Sequence, residues 1–434
     1  MDTIVAIATG LTPAGVGIVR ISGERALELA KSIFVKKTAE WSPNYMYLGT
    51  VNGETFKEQA FCVYFKMPFS FTGEDVIELH CHGGPGVLSA VSRLVQSKGA
   101  RQAYAGEFTR RAFLNGKVNL AQAEGIAELT RAENEAGIMQ AYRLASGEVS
   151  KTIAECEQDL LIAASNVEAV LDYPEELTDD LAAPTLELLQ TCLQKLLKLY
   201  KNAQHRRFIN EGINVTIAGA PNVGKSSLLN AIIQDERAIV TDIAGTTRDT
   251  LSEAVMIGGV KYRFIDTAGM RKSQDTIERI GIERAQNAIA NADLVLHILD
   301  LSCKSNDDTT FLPKGKKNIT VGNKLDIKKF DKKADIYISC KTKENIEELI
   351  KQITQKTNAE MLTDTVIMTN ERHIACVKNA IEALESATKN YNKVTPDCTA
   401  VDIRGAYSAL AQVTGSDVNE AIVDQIFSSF CVGK

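Results

Sequence analysis

The sequence predicts a multidomain chain of mixed α+β and α/β class: an N-terminal α+β domain, a helical domain, and a doubly wound parallel sheet inserted into the helical one. Three observations predict it. At 434 residues the chain exceeds one core, since a domain takes about 150. Its hydrophobic periodicity changes character at several points. A glycine-rich turn, GAPNVGKSS, joins a strand-like run to a helix-like run near the middle.

Residues 1–117 alternate strand-like runs (DTIVAIAT, GVGIVRIS, FCVYFKM, DVIELHCH) with helical ones (GERALELAKSIF, VLSAVSRLVQSKG), which is an α+β pattern. Residues 118–211 read as helix almost throughout. Leu186, Leu189, Leu193, Leu196 and Tyr200 mark one apolar face, and Pro174 in LDYPEEL breaks the run. Within 212–357 the runs INVTIAG, KYRFIDTAG, ADLVLHILD, NITVGNKLD and DIYISC read as buried strands separated by helices, as a parallel doubly wound sheet requires. From 358 to 434 the chain is helical again and ends in FCVGK. The economical arrangement is a sheet domain inserted between two halves of a helical one.

Composition narrows the class. With 44% hydrophobic and 24% charged residues the chain reads as an ordinary soluble globular protein, and no apolar run reaches membrane-spanning length. The N-terminus lacks the basic and apolar regions of a signal peptide. Nine cysteines, odd in number and without a CxxC pair, argue against a disulfide framework or structural zinc and point to a reducing cytoplasm. A net charge of -6 disfavours coating nucleic acid through global charge.

The chemistry is carried by GAPNVGKSS, residues 219–227. In this P-loop, backbone N–H groups of Asn222, Val223, Gly224, Lys225, Ser226 and Ser227 curl around phosphate oxygens, Lys225 reaches the β- and γ-phosphates, and Ser226 offers its hydroxyl to Mg2+. DTAG follows: Asp266 holds Mg2+ through water, and Thr267, Ala268 and Gly269 border the γ-phosphate. In NKLD, Asp326 accepts two hydrogen bonds from guanine that adenine does not offer, a selection worth roughly 10⁴ or more. Asn323 and Lys324 precede it, and Ser339 and Cys340 sit where a last guanine-contacting loop belongs. Between P-loop and DTAG, TDIAGTTRD supplies a switch segment, Thr241, Asp242, Ile243, Ala244, Gly245, Thr246 and Thr247, with Thr247 as second Mg2+ ligand. These motifs in this order make a P-loop GTPase domain.

Many GTPases place a water-orienting glutamine after DTAG, but here Met270 stands there. Glu278 is the nearest suitable carboxylate, with a plain helix-surface charge as its alternative. Arg248 is as readily structural as a finger residue.

The combination resembles the MnmE (TrmE) family of tRNA modification GTPases end to end, on DTIVAIAT, GVGIVRISG, TGEDVIELHCHGG, GEFTRRAFLNGKVNLAQAE, the GTPase motifs and FCVGK. The resemblance implies a homodimer whose N-terminal domain is folate-binding-like and dimerising. It also implies an FAD-dependent partner, MnmG, in a heterooligomeric complex that installs an aminomethyl or carboxymethylaminomethyl group at position 5 of the wobble uridine of certain tRNAs. The one-carbon unit is expected from a tetrahydrofolate derivative, in 5-formyl or methylene form. Arg20, Glu78, Lys117 and Lys434 would line the folate site, with Cys431 as the functional cysteine near it. The resemblance implies K+ bound by Asn222 and by oxygens of Thr241, Ile243 and Thr246 when two G domains meet, and it puts Glu278 on the catalytic glutamate. Two departures touch no motif: Gly10 stands where the family usually has proline, and the segment before NKLD is short.

Blander readings stand beside these. Glu78, His80 and His82 on one strand face mimic a metal site but lack further ligands at metal spacing. Cys431 by itself is a small core residue, Arg20 and Lys117 are solvated charges, and the basic run His205–Arg207 is a helix end. A ribosome-assembly switch without modification chemistry is the alternative function, and it would call for an appended RNA-binding module such as a KH domain. A scaffold with a vestigial G domain is opposed by Lys225, Ser226, Asp266 and Asp326.

Overall fold

The computed structural model describes residues 2–235, 252–266, 287–303, 315–327, 332–391 and 393–433. These residues form two units in which the chain alternates: Met1–Arg131, Tyr142–Leu196 and Ala375–Lys434 make one, Ala132–Ala141 and Leu197–Ile374 the other.

The first unit opens with β1 (Ile4–Ile7), β2 (Ala14–Ser22), α1 (Ala26–Ile33), β3 (Phe34–Lys36), β4 (Met46–Asn52), β5 (Lys57–Phe65), β6 (Val76–Gly83), α2 (Pro85–Ser97), β7 (Arg101–Gln102) and α3 (Glu107–Leu114). The strands make one sheet in the order β3-β4-β5-β6-β2-β1-β7. Only β1 with β7 is parallel. Side chains alternate between the two faces of a strand, so Val5, Val19, Ile21, Ile77 and Leu79 turn to one face and bury against Leu29, Ile33, Leu88 and Val91 of α1 and α2. The other parity aligns Ala6, Arg20 and Glu78 across β1, β2 and β6, beside a small cluster of Ile4, Ala6, Ala103 and Phe108.

Helices follow: α4 (Leu120–Leu129), α5 (Glu135–Ser146), α6 (Glu148–Asp172), α7 (Pro174–Ala203) and α8 (Arg206–Asn210). A capping box starts α4, Asn119 accepting from the Gln122 amide while the Gln122 side chain accepts from the Asn119 amide. The break expected at Pro174 separates α6 from α7, with proline opening the new helix, where its missing N–H costs nothing. A second proline, Pro184, lies inside α7. One turn of local bonding accompanies it: Thr185 Oγ1 donates to the Leu181 carbonyl at 2.7 Å and pairs with Asn166 Nδ2 at 3.1 Å. The buried stripe of α7 includes Leu189 and Leu196 as expected, and also Cys192 and Leu199.

The second unit contains β8 (Ile213–Ala218), α9 (Lys225–Asp235), β9 (Ser252–Ile257), β10 (Val260–Asp266), β11 (Leu294–Asp300), β12 (Asn318–Asn323), β13 (Ile336–Tyr337), α10 (Ile346–Thr357) and α11 (Met361–Asp364). Its six-stranded sheet runs β13-β12-β11-β8-β10-β9. All neighbours are parallel except β9 with β10. The five strands read from the sequence are the parallel ones. The sixth, β9, is an antiparallel edge, turned back at Gly258 and Gly259, whose φ values of 56° and 76° make a tight hairpin. Residues 132–141 join this unit through Gln140, whose Nε2 donates to the Leu362 and Thr365 carbonyls and whose Oε1 accepts from the Ile367 amide.

The chain ends in α12 (Glu371–Asn390), α13 (Pro396–Thr414) and α14 (Glu420–Ser428), with α13 packed along α6. Phe427 of α14 and Phe430 just after it bury with Leu120 and Ala123, and Val432 forms an antiparallel bridge with Ala105. Among the described residues no helix is long and apolar enough to cross a membrane.

One buried charge locks the N-terminal sheet to α3. Arg111, with 4% of its side chain exposed, binds Asp2 Oδ1 at 2.7 Å, Glu107 Oε1 at 3.0 Å and Glu74 Oε2 at 3.0 Å, and donates to the Asp2 carbonyl at 2.7 Å. Truncating it to Met would leave Glu74 and Glu107 buried without this partner, a defect worth about 3–5 kcal/mol. Arg111→Met should therefore lower the urea midpoint of the N-terminal domain, read through Trp41, the chain's single tryptophan, which packs against that sheet's core. An unchanged midpoint would show the cluster to be energetically neutral.

Candidate functional site

The first constellation forms at the carboxyl ends of the parallel strands, where loops of a doubly wound sheet gather around ligands. β8 runs into the P-loop and then into α9, whose first residue is Lys225, so the loop's N–H groups and the helix N-terminus face the same space. Three residues of the loop adopt positive φ, Gly219 at 152°, Asn222 at 64° and Gly224 at 103°. A Cβ at Gly224 would lie 2.3 Å from Asn323 Nδ2, so only glycine lets the P-loop approach NKLD this closely. The contact is specific: Asn323 Nδ2 donates to the Val223 carbonyl at 2.8 Å, and Asn323 Oδ1 accepts from the Cys340 amide at 3.2 Å. One buried amide side chain thus ties three loops together.

Several of the other residues named from the sequence lie in the loops around it. Lys225 is buried, and its ammonium donates to the Gly219 and Ala220 carbonyls at 2.9 and 2.7 Å, within the loop that would cradle phosphates. Ser226 and Ser227 are exposed at the start of α9. Asp326 is exposed, and Ser339 Oγ donates to its Oδ1 at 2.7 Å, holding the carboxyl below the usual range. It therefore presents an ionised acceptor to solvent, the form a guanine edge requires. Lys324 adopts φ 69°, and its Nζ binds Asp300 Oδ2 at 2.6 Å. Burial would raise the Asp300 carboxyl, but Lys324 and both donors of Ser302 outweigh it and hold it low. Asp300, the last residue of β11, is thus the anchor that fixes the Lys324 stem. Burial pushes the Cys340 thiol up to about 11, so it acts through its backbone rather than as a nucleophile. Asp266 closes β10. Its side chain, together with Thr241, Asp242, Ile243, Ala244, Gly245, Thr246, Thr247, Arg248, Thr267, Ala268, Gly269, Met270, Glu278 and Lys434, lies outside the described residues.

The second constellation lies in the first unit. Strand register sets Arg20 opposite Glu78, and the guanidinium meets Glu78 Oε1 through Nε and Nη2, both at 2.9 Å. His80, two residues along the same face, reaches Glu78 Oε2 at 3.1 Å. His82 instead pairs with Glu58 Oε1 at 2.6 Å, so the two imidazoles are held by different carboxylates. Arg20 is flanked by the Phe71 and Phe108 rings, 6.0 and 5.7 Å from its guanidinium carbon. Its Nη1 also donates to the Gly433 carbonyl at 3.3 Å, which brings the end of the chain to this pair. Lys117 stands beyond the loop that carries Phe71, donating from Nζ to the Pro68 carbonyl at 3.0 Å. Cys431 is exposed, two residues before Gly433. Phe71 carries no signal in a single sequence, and His80, which the strand alternation groups only with Glu78 and His82, is brought near Arg20 through the shared Glu78 carboxylate.

Comparison with known proteins gives the family. The family model described as "MnmE helical domain" matches residues 120–431, and that described as "GTP-binding protein TrmE N-terminus" matches residues 3–117. The chain is 38% identical to tRNA modification GTPase MnmE of Aquifex aeolicus over 447 residues, covering 100% of both chains. Identity to the MnmE of Caldicellulosiruptor saccharolyticus is 38% over 453 residues, covering 100% of this chain and 99% of that one. The solved structure of Aquifex aeolicus Era bound to GDP.AlF4- aligns with 39% of this chain and 66% of its own at 23% identity, with a TM-score of 0.25, a likeness too loose to add to the topology.

Asn323 gives this site its test. Asn323→Ala removes both of its bonds and leaves the Val223 carbonyl and Cys340 amide unpaired in a buried place, at a cost of about 1–3 kcal/mol each. A lower melting temperature and weaker binding of a fluorescent guanine nucleotide should appear together. Full nucleotide affinity in this variant would show that the three loops hold without the link.

Proposed function

The chain belongs to the MnmE family of tRNA modification GTPases, and from that premise we propose that it hydrolyses GTP, as a homodimer and with potassium, to drive modification of tRNA. The modification is the addition of an aminomethyl or carboxymethylaminomethyl group to position 5 of the wobble uridine, carried out with the FAD-dependent protein MnmG. The observation that carries the GTPase part is Asn323, which joins the P-loop to a guanine-reading carboxylate loop through Val223 and Cys340.

In the G domain, proposed to span 212–357, Asn222 through Ser227 surround the phosphates, Asn323, Lys324, Asp326, Ser339 and Cys340 hold guanine, and Ser226 with Thr247 ligates Mg2+. The donor set fits these groups: backbone N–H groups and an ammonium for anions, a hydroxyl for a hard cation, and an ionised carboxylate for the guanine edge. Bound metal ions supply positive charge against the charge that builds on the transferring phosphoryl group. Asn222, with oxygens of Thr241, Ile243 and Thr246, is the proposed potassium site, and Glu278 orients the attacking water in place of the missing glutamine.

In the N-terminal domain, Arg20, Glu78, Lys117 and Lys434 are proposed to hold a 5-formyl- or methylene-tetrahydrofolate. The Arg20–Glu78 pair fits the amide and amine edge of a pterin, which wants a carboxylate acceptor held in a fixed place. Cys431 is the proposed functional thiol beside it. An exposed apolar face made by Val35, Tyr45, Met46, Leu48 and Phe61 surrounds a hollow of about 1010 Å³ on the outer strands of this sheet. Such a patch supports the homodimer. A cytoplasmic location follows from the tRNA substrate.

Two measurements test this function. GTP hydrolysis should be markedly faster in K+ than in Na+ at equal ionic strength, and equal rates would sink the potassium mechanism. Nucleoside analysis of tRNA from cells carrying Cys431→Ser should show loss of the modified uridine while the purified variant still hydrolyses GTP. Retained modification would demote Cys431 to a structural residue.

A further inference from the structure

The first unit holds a cleft of about 720 Å³ beside the C-terminal segment, lined by Arg101, Tyr104, Glu107, Arg110, Asp424 and Phe427 among others. Neither site above uses it. Its charges are matched: Arg101 pairs with Asp2 and Glu107, Arg111 with the same two, and Arg110 with Asp424 at 2.9 Å. A wall of cancelled charges does not collect phosphates. It suits a neutral ligand with polar edges.

Two features say what shape that ligand has. Tyr104 is 70% exposed, and the Arg101 guanidinium lies 4.6 Å from its ring centroid, which leaves the opposite ring face open to a second flat group. The platform is set in advance, because Glu107 Oε2 accepts from the Tyr104 amide at 2.8 Å while the same carboxylate grips Arg101. The second feature is the Arg110 side chain, 33% exposed in the cleft beside its Asp424 partner. The guanidinium N–H groups that Asp424 leaves free can donate to a carbonyl on an entering ring. A uracil-type base is a flat ring with such carbonyl acceptors.

Position adds to the chemistry. Ala105, next to Tyr104, bridges Val432, and the amide of Gly106 donates to the Cys431 carbonyl at 3.3 Å. The cleft and the Arg20–Glu78 pair thus share the terminal segment that carries Cys431 as a common border. We propose that this cleft receives an unpaired uracil-type base of an RNA substrate, stacked on Tyr104 with a ring carbonyl accepting from the Arg110 guanidinium. The inference rests on the tRNA reading above and names where its base enters. Stacking on one aromatic platform is a recurrent device for binding single-stranded bases.

The test uses the full chain and a fluorescein-labelled anticodon stem-loop RNA with uridine at the wobble position, followed by anisotropy. Tyr104→Leu should bind roughly ten-fold more weakly and Tyr104→Phe close to the native protein, since the ring rather than the hydroxyl provides the platform. Arg110→Gln should also weaken binding. With 4-thiouridine at the wobble position, irradiation should attach the RNA to the peptide containing Tyr104, a readout that does not depend on any variant folding. Native-like affinity of Tyr104→Leu, or attachment elsewhere, would overturn the cleft while leaving the tRNA reading intact. No RNA binding by the native chain would overturn both.

Discussion

The first and last segments of the first unit are held together by a short stretch of backbone, and the arrangement of its candidate sites depends on that closure. Gly106 and Gly433 make it possible: a Cβ on Gly106 would lie 2.5 Å from the Phe427 carbonyl, and one on Gly433 2.5 Å from the Ile7 carbonyl. Both adopt positive φ, at 65° and 98°. Only with bare backbone at these points can the terminal segment pair with Ala105 and offer the Gly433 carbonyl to Arg20. Buried Phe427 and Phe430 provide the apolar grip, so the exposed Cys431 is carried on an anchored strap.

Arg20 is the meeting point. Its guanidinium is divided between Glu78 and Gly433, with Phe71 and Phe108 beside it. A ligand that engages Glu78 must therefore act on the same group that holds the terminal strap. By linkage, ligand binding and strap docking influence each other equally in free energy. Arg111 plays a different part: buried among Asp2, Glu74 and Glu107, it joins the TGED and GEFTRR motifs, so part of what marks the family in sequence is there to hold the sheet to α3.

In the second unit the same economy appears in Asn323. Parallel strands in the order β12-β11-β8-β10 deliver NKLD, Asp300, the P-loop and Asp266 to one edge of the sheet. Asn323 then fixes the separation of the loops at van der Waals limits, which is why Gly224 faces it. The geometry is one of preorganisation: Asp300 restrains Lys324 and Ser339 restrains Asp326 through contacts within the protein itself.

The sequence by itself determined the class of the domains, the parallel strands, the break at Pro174 and the GTPase motifs, because these rest on local patterns: strand and helix periods, a proline, and motifs whose residues are neighbours in the chain. It did not reveal β9, whose edge position follows from pairing with β10, nor the continuity of α7 through Pro184, where neighbouring side-chain bonds accompany the lost backbone donor. The roles of Asp300, His80, Phe71 and the Tyr104–Arg110 cleft were decided only by the tertiary structure. Each depends on contacts that strand pairing and loop closure create, and these leave no periodic trace in one sequence.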